Sequence, residues 1–307
     1  MNSKLGTSAR PGWVALVSLI LLFYVSARAQ NLFLSSYDDN KVYQFTPNGT
    51  KTLFDSTLNG PSGQAFDSAG NLFIATENSS GNIYKYTPGG VKTVFASELS
   101  YPSGLAFNPA GDLFVAEVGG GNIYQLTPNG VRSTFATGLT DPQGLAFDSS
   151  GNLFVSSWPT GNIYKFTPNG VQTVFASGLV YPLGLAFDTA GNLFVASEGD
   201  QSNNGSIFKF TPDGVKSTFA SGLWEPIGLA FNSSGELFDS DSANSTINKF
   251  DPSGNKTVFA TGTGNFTTYI AISPVPEPPA LAFIIIGAGA VLLWNRRPSA
   301  SRCPLKV

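Results

Sequence analysis

Apolar and polar positions alternate along most of the chain in short segments separated by turn residues. The stretch GNLFVSSWPTGNIYKFTPNGVQTVFASGLVYPLGLAFDTAG, residues 151–191, shows the pattern, and similar stretches recur about every forty residues. Each repeat has four β-type segments, in one case at 184–187, 193–197, 206–210 and 215–221. No stretch of the repeat has a helical period. The pattern predicts an all-β chain of four-stranded antiparallel units, which is typical of propeller blades.

The first segment of each repeat predicts the number of blades and how the ring closes. It occurs six times, at 63–66, 104–107, 144–147, 184–187, 228–231 and, in a degenerate form, 269–272. Residues 31–34 match the second segment of a blade, whereas 269–272 match the first. The N- and C-terminal strands therefore have to share one blade, which leaves no long unpaired inner edge. We predict a six-bladed β-propeller over residues 30–273.

The recurring unit PxGLAFDxxGNLFVA resembles the repeats of a superfamily of six-bladed propellers that includes the NHL-repeat proteins and the gluconolactonase-like enzymes. The resemblance covers roughly residues 31–273. It implies the fold but no single function, because the superfamily contains lactonases, lyases and binding scaffolds.

Residues 1–29 have the pattern of an export signal. Lys4 and Arg10 precede a largely apolar stretch at 13–25, and the small-x-small sequence at 27–29 is a cleavage site for signal peptidase. The alternative is an uncleaved membrane anchor. The apolar stretch is short for a bilayer span, which favours cleavage.

The C-terminal residues 274–307 form a second targeting pattern. Val275, Pro276, Glu277 and Pro278 precede an apolar segment at 279–294, and a tail with three Arg and one Lys follows. This pattern resembles the PEP-CTERM sorting signal of Gram-negative bacteria. The resemblance implies transient anchoring in the inner membrane, cleavage by an exosortase, and release at the cell surface or into an extracellular polysaccharide matrix. The alternative is a permanent C-terminal transmembrane anchor with a positively charged inner end.

The composition excludes several kinds of chemistry. The sequence contains no histidine, so it has no Ser-His-Asp triad and no imidazole metal ligand. Its one cysteine, Cys303, follows the C-terminal apolar segment, so the propeller has no disulfide and no thiolate metal site. Residues 30–273 contain nineteen acidic and ten basic side chains, a formal charge of −9. Such a body repels phosphate backbones, which predicts that it does not bind nucleic acid.

Comparing the repeats with one another separates the scaffold from a candidate binding surface. The turns TPNG and DSSG hardly vary, and turn chemistry alone explains them. Variation is concentrated in the loops between second and third strands and in the loops between blades, which antiparallel strands place on one face. We call this the variable face. Its candidate ligand-binding residues are Tyr101, Trp158, Tyr181, Trp224, Glu77, Glu117 and Glu198.

The residue types on the variable face are suited to a neutral polysaccharide. Aromatic rings stack on sugar faces, while acidic and amide groups form hydrogen bonds with hydroxyls. Two alternatives remain open. The rings could cap the core at the channel mouth, and the acidic residues could form a solubilising surface.

The resemblance also allows enzymatic functions to be considered. In the metal-dependent lactonases of the superfamily, metal ligands include Asn and Asp between the Pro and Gly of PxG units. Here those positions hold Ser62, Ser103, Gln143, Leu183 and Ile227, so we predict neither a metal site nor a cofactor. The propeller lyases rely on histidine, which this sequence lacks.

A hydrolase that uses two carboxylates, such as Glu77 with Glu117, is another alternative. The sequence as a whole favours an exported, non-catalytic propeller that acts as a binding or structural module. The alternative function is that of a gluconolactonase-like hydrolase with a relocated site.

Overall fold

The computed structural model describes residues 30–200, 204–264 and 266–275. All regular structure in these residues is β, in 24 strands that form six four-stranded antiparallel sheets. The innermost strands contact one another in the cyclic order β24, β4, β8, β12, β16, β20 and back to β24, with bounds given below. The predicted six-bladed propeller is therefore confirmed.

Each blade is given from its innermost strand outwards. Blade 1 consists of β24 (Thr267–Ile272), β1 (Leu32–Ser36), β2 (Lys41–Phe45) and β3 (Lys51–Asp55), and blade 2 of β4 (Pro61–Phe66), β5 (Leu72–Thr76), β6 (Gly81–Tyr86) and β7 (Lys92–Leu99). Blade 3 consists of β8 (Pro102–Phe107), β9 (Leu113–Glu117), β10 (Asn122–Leu126) and β11 (Arg132–Ala136), and blade 4 of β12 (Pro142–Phe147), β13 (Leu153–Ser157), β14 (Asn162–Phe166) and β15 (Gln172–Ala176). Blade 5 consists of β16 (Pro182–Phe187), β17 (Leu193–Ser197), β18 (Gly205–Phe210) and β19 (Lys216–Leu223), and blade 6 of β20 (Pro226–Phe231), β21 (Leu237–Asp241), β22 (Thr246–Phe250) and β23 (Lys256–Thr261).

The two ends of the propeller share blade 1, as the phase of the repeats predicts. β24 pairs antiparallel with β1, so that Leu32 faces Ile272 and Leu34 faces Ile270. The backbone of Ser273 also donates a hydrogen bond to the carbonyl of Asn31. The last described strand thus supplies the inner edge that β1 would otherwise leave unpaired.

The glycine of each PxG unit allows neighbouring blades to approach closely at the central channel. A Cβ built on Gly144 would lie only 2.1 Å from the carbonyl oxygen of Leu183 in the next blade. Gly104 and Gly184 have the same relation to the blades that follow them. A larger residue in these strands therefore requires the next inner strand to move.

Phenylalanine side chains fill the space between blades. Phe114 packs edge-to-face on Phe135 of its own blade and on Phe147 of the next, with ring centroids 5.1 and 4.9 Å apart. The same three-ring arrangement recurs around Phe33, Phe73, Phe154 and Phe194. These large contacts hold each blade at a fixed angle to its neighbour, so the loops at the blade ends keep fixed positions.

The two predicted targeting segments lie almost wholly outside the described residues. This applies to residues 1–29, to Pro276, Glu277 and Pro278 of the sorting motif, and to the apolar segment at 279–294. Within the described ranges, no helix has the length and hydropathy needed to cross a membrane.

Candidate functional site

The two kinds of loop that define the variable face contact each other at Trp158 and Tyr181. Trp158 belongs to the loop between β13 and β14, and Tyr181 precedes β16. Their rings are stacked, with centroids 4.5 Å apart and planes inclined by 21°. Each ring thus covers one face of the other, so a ligand can stack only on an outer face of the pair, which we call the Trp158–Tyr181 platform.

The platform is held rigidly from two sides. The Trp158 indole Nε1 donates a hydrogen bond of 2.9 Å to the carboxylate of Glu198, and its backbone N–H donates one of 3.2 Å to the carbonyl of Asp141. Tyr181 has a φ of +51°, which is rare for a bulky residue, and its ring stacks on that of Trp158. A ring fixed in this way loses little entropy when a ligand stacks on it.

Two cavities adjoin at the platform. The first, the channel-mouth cavity, has a volume of about 390 Å³ and is lined by Ser62, Glu77, Ser103, Asp141, Gln143, Trp158, Leu183, Glu198, Ile227, Phe266, Thr268 and Tyr269. The second, the side cavity, has a volume of about 260 Å³ and is lined by Trp158, Tyr181, Glu198, Gly199, Asp200, Trp224 and Glu225. Trp158 and Glu198 belong to both, so one extended ligand can occupy both cavities.

The carboxylates of the channel-mouth cavity receive hydrogen bonds from neutral groups. The Ser62 hydroxyl donates a bond of 2.7 Å to Glu77, and the Gln143 amide donates one of 2.6 Å to Asp141. Burial raises the pKa of Glu77, the negative charge of Asp141 raises it further, and the bond from Ser62 opposes both effects. The cavity therefore places two acidic groups among uncharged hydrogen-bond donors.

Tyr269 places a phenol at the same cavity. Its hydroxyl lies 3.4 Å from the Oγ of Ser103, which donates a hydrogen bond of 2.7 Å to the Gln143 amide oxygen. Burial raises the pKa of Tyr269 well above its usual range, and the charges of Glu77 and Asp141 add to this effect. The phenol is therefore neutral at physiological pH and can donate a hydrogen bond to a ligand.

The side cavity combines an exposed ring with further acidic groups. Trp224 is 41% exposed, which is high for so large an apolar side chain. Burial raises the pKa of Glu225, and the charges of Glu198 and Asp241 raise it further. The structure thus brings together four of the candidates identified from sequence, namely Trp158, Tyr181, Trp224 and Glu198.

The other three candidates from sequence do not line the side cavity. Glu77 lines only the channel-mouth cavity, while Tyr101 is 44% exposed and lines neither cavity. Glu117 is buried and accepts hydrogen bonds from the Ser100 backbone and the Asn122 amide, so it holds a loop between blades. The proposed pair of Glu77 with Glu117 is therefore not assembled at either cavity.

The role of Glu117 is explained by its place in the repeat. Ser157 and Ser197 occupy the same position at the end of the second strand, and their hydroxyls donate to the carbonyls of Thr140 and Val180 in the corresponding loops. Side chains at this position fasten the loop between blades.

Several residues that line the cavities were not among the candidate ligand-binding residues, although Asp141, Glu225 and Phe266 belong to the variable loops. Asp141 and Glu225 directly precede the proline of PxG, as Tyr101 and Tyr181 do, and this shared position is a usable signal. Tyr269 has a similar signal, because aligning TTYIAI with PIGLAF places it where the other inner strands have glycine.

The positions between Pro and Gly of the PxG units do lie at the channel mouth. Ser62, Ser103, Gln143, Leu183 and Ile227 all line the cavity there. Their hydroxyl, amide and aliphatic groups do not make an anionic oxygen cage for a hard cation. In the described part of the chain, no group of three or more His, Cys, Asp or Glu side chains is placed to hold a metal ion.

The fold is a six-bladed β-propeller, and its variable face carries two adjoining cavities that are lined by acidic and aromatic side chains. Models of protein families match no part of the chain, and no curated protein is similar to it in sequence.

Solved structures do show the same architecture. A chain of a nidogen/laminin complex superposes with a TM-score of 0.70 at 19% identity, covering 80% of this chain and 98% of that one. A virginiamycin B lyase from Staphylococcus aureus has a TM-score of 0.60 at 17% identity, covering 76% and 81%. A putative gluconolactonase has a TM-score of 0.59 at 19% identity, covering 70% and 82%. At these identities the likeness establishes the fold alone.

Proposed function

We propose that this protein is an exported, non-catalytic binding module that holds a polysaccharide on its variable face, at the cell surface or in an extracellular polysaccharide matrix. The observation that carries the proposal is the rigid Trp158–Tyr181 platform between two adjoining cavities. Stacked or exposed aromatic rings provide flat apolar surfaces for sugar C–H faces. The carboxylates and amides around them can pair with sugar hydroxyls.

Replacing Trp158 and Trp224 with Ala, singly and together, tests the proposal. We expect the purified full-length chain to bind an insoluble polysaccharide from a panel of neutral, acidic and basic polymers, and the double variant to lose this binding. The stability cost of Trp224→Ala should be below about 1 kcal/mol, because the ring is 41% exposed. Val131→Ala, which shortens an exposed side chain outside both cavities, is the control and should bind normally.

Two results would contradict the proposal. One is the absence of binding to every polysaccharide on the panel. The other is a loss of about 3–5 kcal/mol of unfolding free energy in Trp224→Ala, which would identify the ring as a cap of the core.

A gluconolactonase-like hydrolase is the second candidate function. The supporting observation is that Glu77, whose pKa is raised by burial, lines the same cavity as Asp141 and Tyr269. A carboxyl with a raised pKa in the same cavity as a second carboxyl is an arrangement that acid–base catalysis can use. Lactone hydrolysis measured with and without added Ca²⁺ or Zn²⁺ tests this function, and Glu77→Gln should abolish any activity found. Turnover that survives Glu77→Gln would not come from this pair.

Export and sorting form the remaining part of the proposal. The proposed processing enzymes are signal peptidase at the N-terminus and an exosortase at the C-terminus. Mass spectrometry of the surface protein from the native host should then find residues 279–307 missing. Glu277→Ala should leave the uncut form in the membrane. Intact C-terminal peptides in the wild-type surface protein would instead support a permanent anchor.

A further inference from the structure

The two cavities contain acidic groups without basic neighbours. Glu77 and Asp141 line the channel-mouth cavity, Glu225 lines the side cavity, and Glu198 lines both. Neither lining includes a Lys or Arg from the described residues. The hydrogen bonds to Glu77, Asp141 and Glu198 come from a hydroxyl, an amide and an indole, all of which are uncharged.

The basic residues of the propeller lie elsewhere. Lys165 and Lys249 form ion pairs with Asp148 and Glu236, which belong to the turns between first and second strands. On the outer strands, the ammonium of Lys51 lies 3.6 Å from the centroid of the Tyr43 ring, and that of Lys216 lies 3.8 Å from the Phe208 ring. These cations therefore interact with the sides of the blades and with turns and loops outside the two cavities, and none of the described basic residues lines either cavity.

Partly buried carboxylates without a cation repel one another. The raised pKa of Glu225 reflects its burial and then the charges of Glu198 and Asp241. A ligand with hydroxyls alone relieves this repulsion poorly, because it replaces the water it displaces with neutral donors. A ligand with an ammonium group supplies the missing charge and forms charge-assisted hydrogen bonds.

The aromatic groups favour the same ligand. A cation is attracted to the face of an aromatic ring, most strongly to that of tryptophan. Trp158 lies between the cavities, and its indole is already bonded to the Glu198 carboxylate. An ammonium group at this point can therefore contact a tryptophan face and a carboxylate at the same time.

On these grounds, and resting on the proposed polysaccharide-binding function, we infer that the ligand is a basic glycan whose repeating unit is an amino sugar with a free, protonated amine. The amine binds at Trp158 and Glu198, and the sugar C–H face stacks on the Trp158–Tyr181 platform. Because the cavities adjoin there, the chain of the glycan extends over at least two sugar units. This differs from the expectation from sequence, which was a neutral polysaccharide.

Three soluble β-1,4-linked hexasaccharides that differ only at carbon 2 test the inference. The glucosamine hexamer carries an ammonium group, the N-acetylglucosamine hexamer an acetamide and cellohexaose a hydroxyl. Affinities for the full-length chain are measured by titration calorimetry below the pKa of the sugar amine. Hexalysine serves as a cationic peptide of comparable charge. We expect the glucosamine hexamer to bind at least about tenfold more tightly than the other three.

Variants locate the effect at the cavity. Glu198→Gln keeps an acceptor for the Trp158 indole but removes the charge, and it should weaken binding of the glucosamine hexamer about tenfold while changing binding of cellohexaose little. Asp213→Asn removes one charge from an exposed turn outside both cavities, where three other repeats carry Asn, and it should leave all affinities unchanged.

The outcomes separate this inference from the proposed function. If cellohexaose or the acetylated hexamer binds as tightly as the amine, the charge inference is wrong while polysaccharide binding stands. If hexalysine binds more tightly than any sugar, the ligand is a basic peptide and the inference is overturned. If no hexasaccharide binds and no insoluble polysaccharide of the panel binds either, both the amino-sugar inference and the proposed polysaccharide-binding function fail. An equal loss of affinity in Asp213→Asn and Glu198→Gln would attribute the binding to overall charge and also contradict the inference.

Discussion

Asp239 is a buried acidic residue at a position where the other blades are apolar. The equivalent residues of the second strands are Leu34, Ile74, Val115, Val155 and Val195. Asp239 is 0% exposed, and its Oδ2 accepts a hydrogen bond of 3.1 Å from the Asn248 amide. Its Oδ1 has no hydrogen-bond partner among the described residues. We therefore predict that the folded state disfavours ionisation of this carboxyl, that this lowers stability wherever the unfolded chain ionises it, and that Asp239→Asn removes the cost.

The magnitude follows from the pKa. Burial raises the pKa of Asp239 from 3.8 to about 8, with the charge of Asp241 adding to the shift and the bond from Asn248 opposing it. Because the folded state holds this proton more tightly than the unfolded state, stability is greatest below the unfolded pKa and falls as pH rises towards 8. The slope is about 1.4 kcal/mol per pH unit, which gives a cost of about 4 kcal/mol at neutral pH.

The assay compares unfolding free energies of wild type and Asp239→Asn in guanidinium chloride at about pH 5, 7 and 9. We expect the advantage of the variant to grow with pH, from about 1–2 kcal/mol at the lowest value to about 5 kcal/mol or more at the highest. Asp213→Asn, in an exposed turn, is the control and should change stability by less than about 0.5 kcal/mol. A difference between wild type and Asp239→Asn that does not change with pH would refute the reasoning.

Three further predictions concern the scaffold. Ending the chain before Phe266 removes β24 and leaves β1 without an inner partner, so the protein should aggregate or melt at a lower temperature; an unchanged Tm would argue against the shared blade. Gly144→Ala should cost about 1–3 kcal/mol in denaturant unfolding, because its Cβ would meet the Leu183 carbonyl, whereas Gly89→Ala, with no close contact, should be tolerated. Tyr101→Gly should leave stability unchanged or raise it by up to about 1 kcal/mol, because Tyr101 has a φ of +52°; a clear loss would show that the ring stabilises the fold.

Much of the fold follows from the sequence because each blade is specified locally. Alternation gives the strands, and Pro and Gly at fixed positions give the turns, as in Gly130 and Gly151 with φ of +80° and +79°. The phase of the repeats then forces β24 to pair with β1, which the structure confirms. Five of the six inner strands begin at proline, two residues before the predicted segments, and a register shift follows that proline, as between Pro182 and Leu185 in the pairing with β17.

The candidate site depended on information that a repeat pattern does not carry. The repeat pattern identified the variable loops, and with them Trp158, Tyr181 and Trp224. It predicted a ligand-binding role for Glu117 and Glu198 alike and could not distinguish between them. In the folded chain Glu198 binds the Trp158 indole, although forty residues separate the two, while Glu117 turns into its own blade to hold a loop. Whether a loop side chain faces the channel or the scaffold is decided by its local φ and by the side chains of the next blade.

The length of the repeat, the alternation of apolar and polar residues and the phase of the repeats thus determined a closed ring of six blades. They could do so because strands and turns are encoded by residues that are neighbours in the chain. The tertiary structure alone decided that Tyr269 and Asp141 share a cavity with Glu77, and that the cavity carboxylates have no basic neighbours. The physical reason is that these relations arise between blades. They depend on how closely the inner strands approach at their glycines and on the angle at which the phenylalanine contacts hold adjacent sheets.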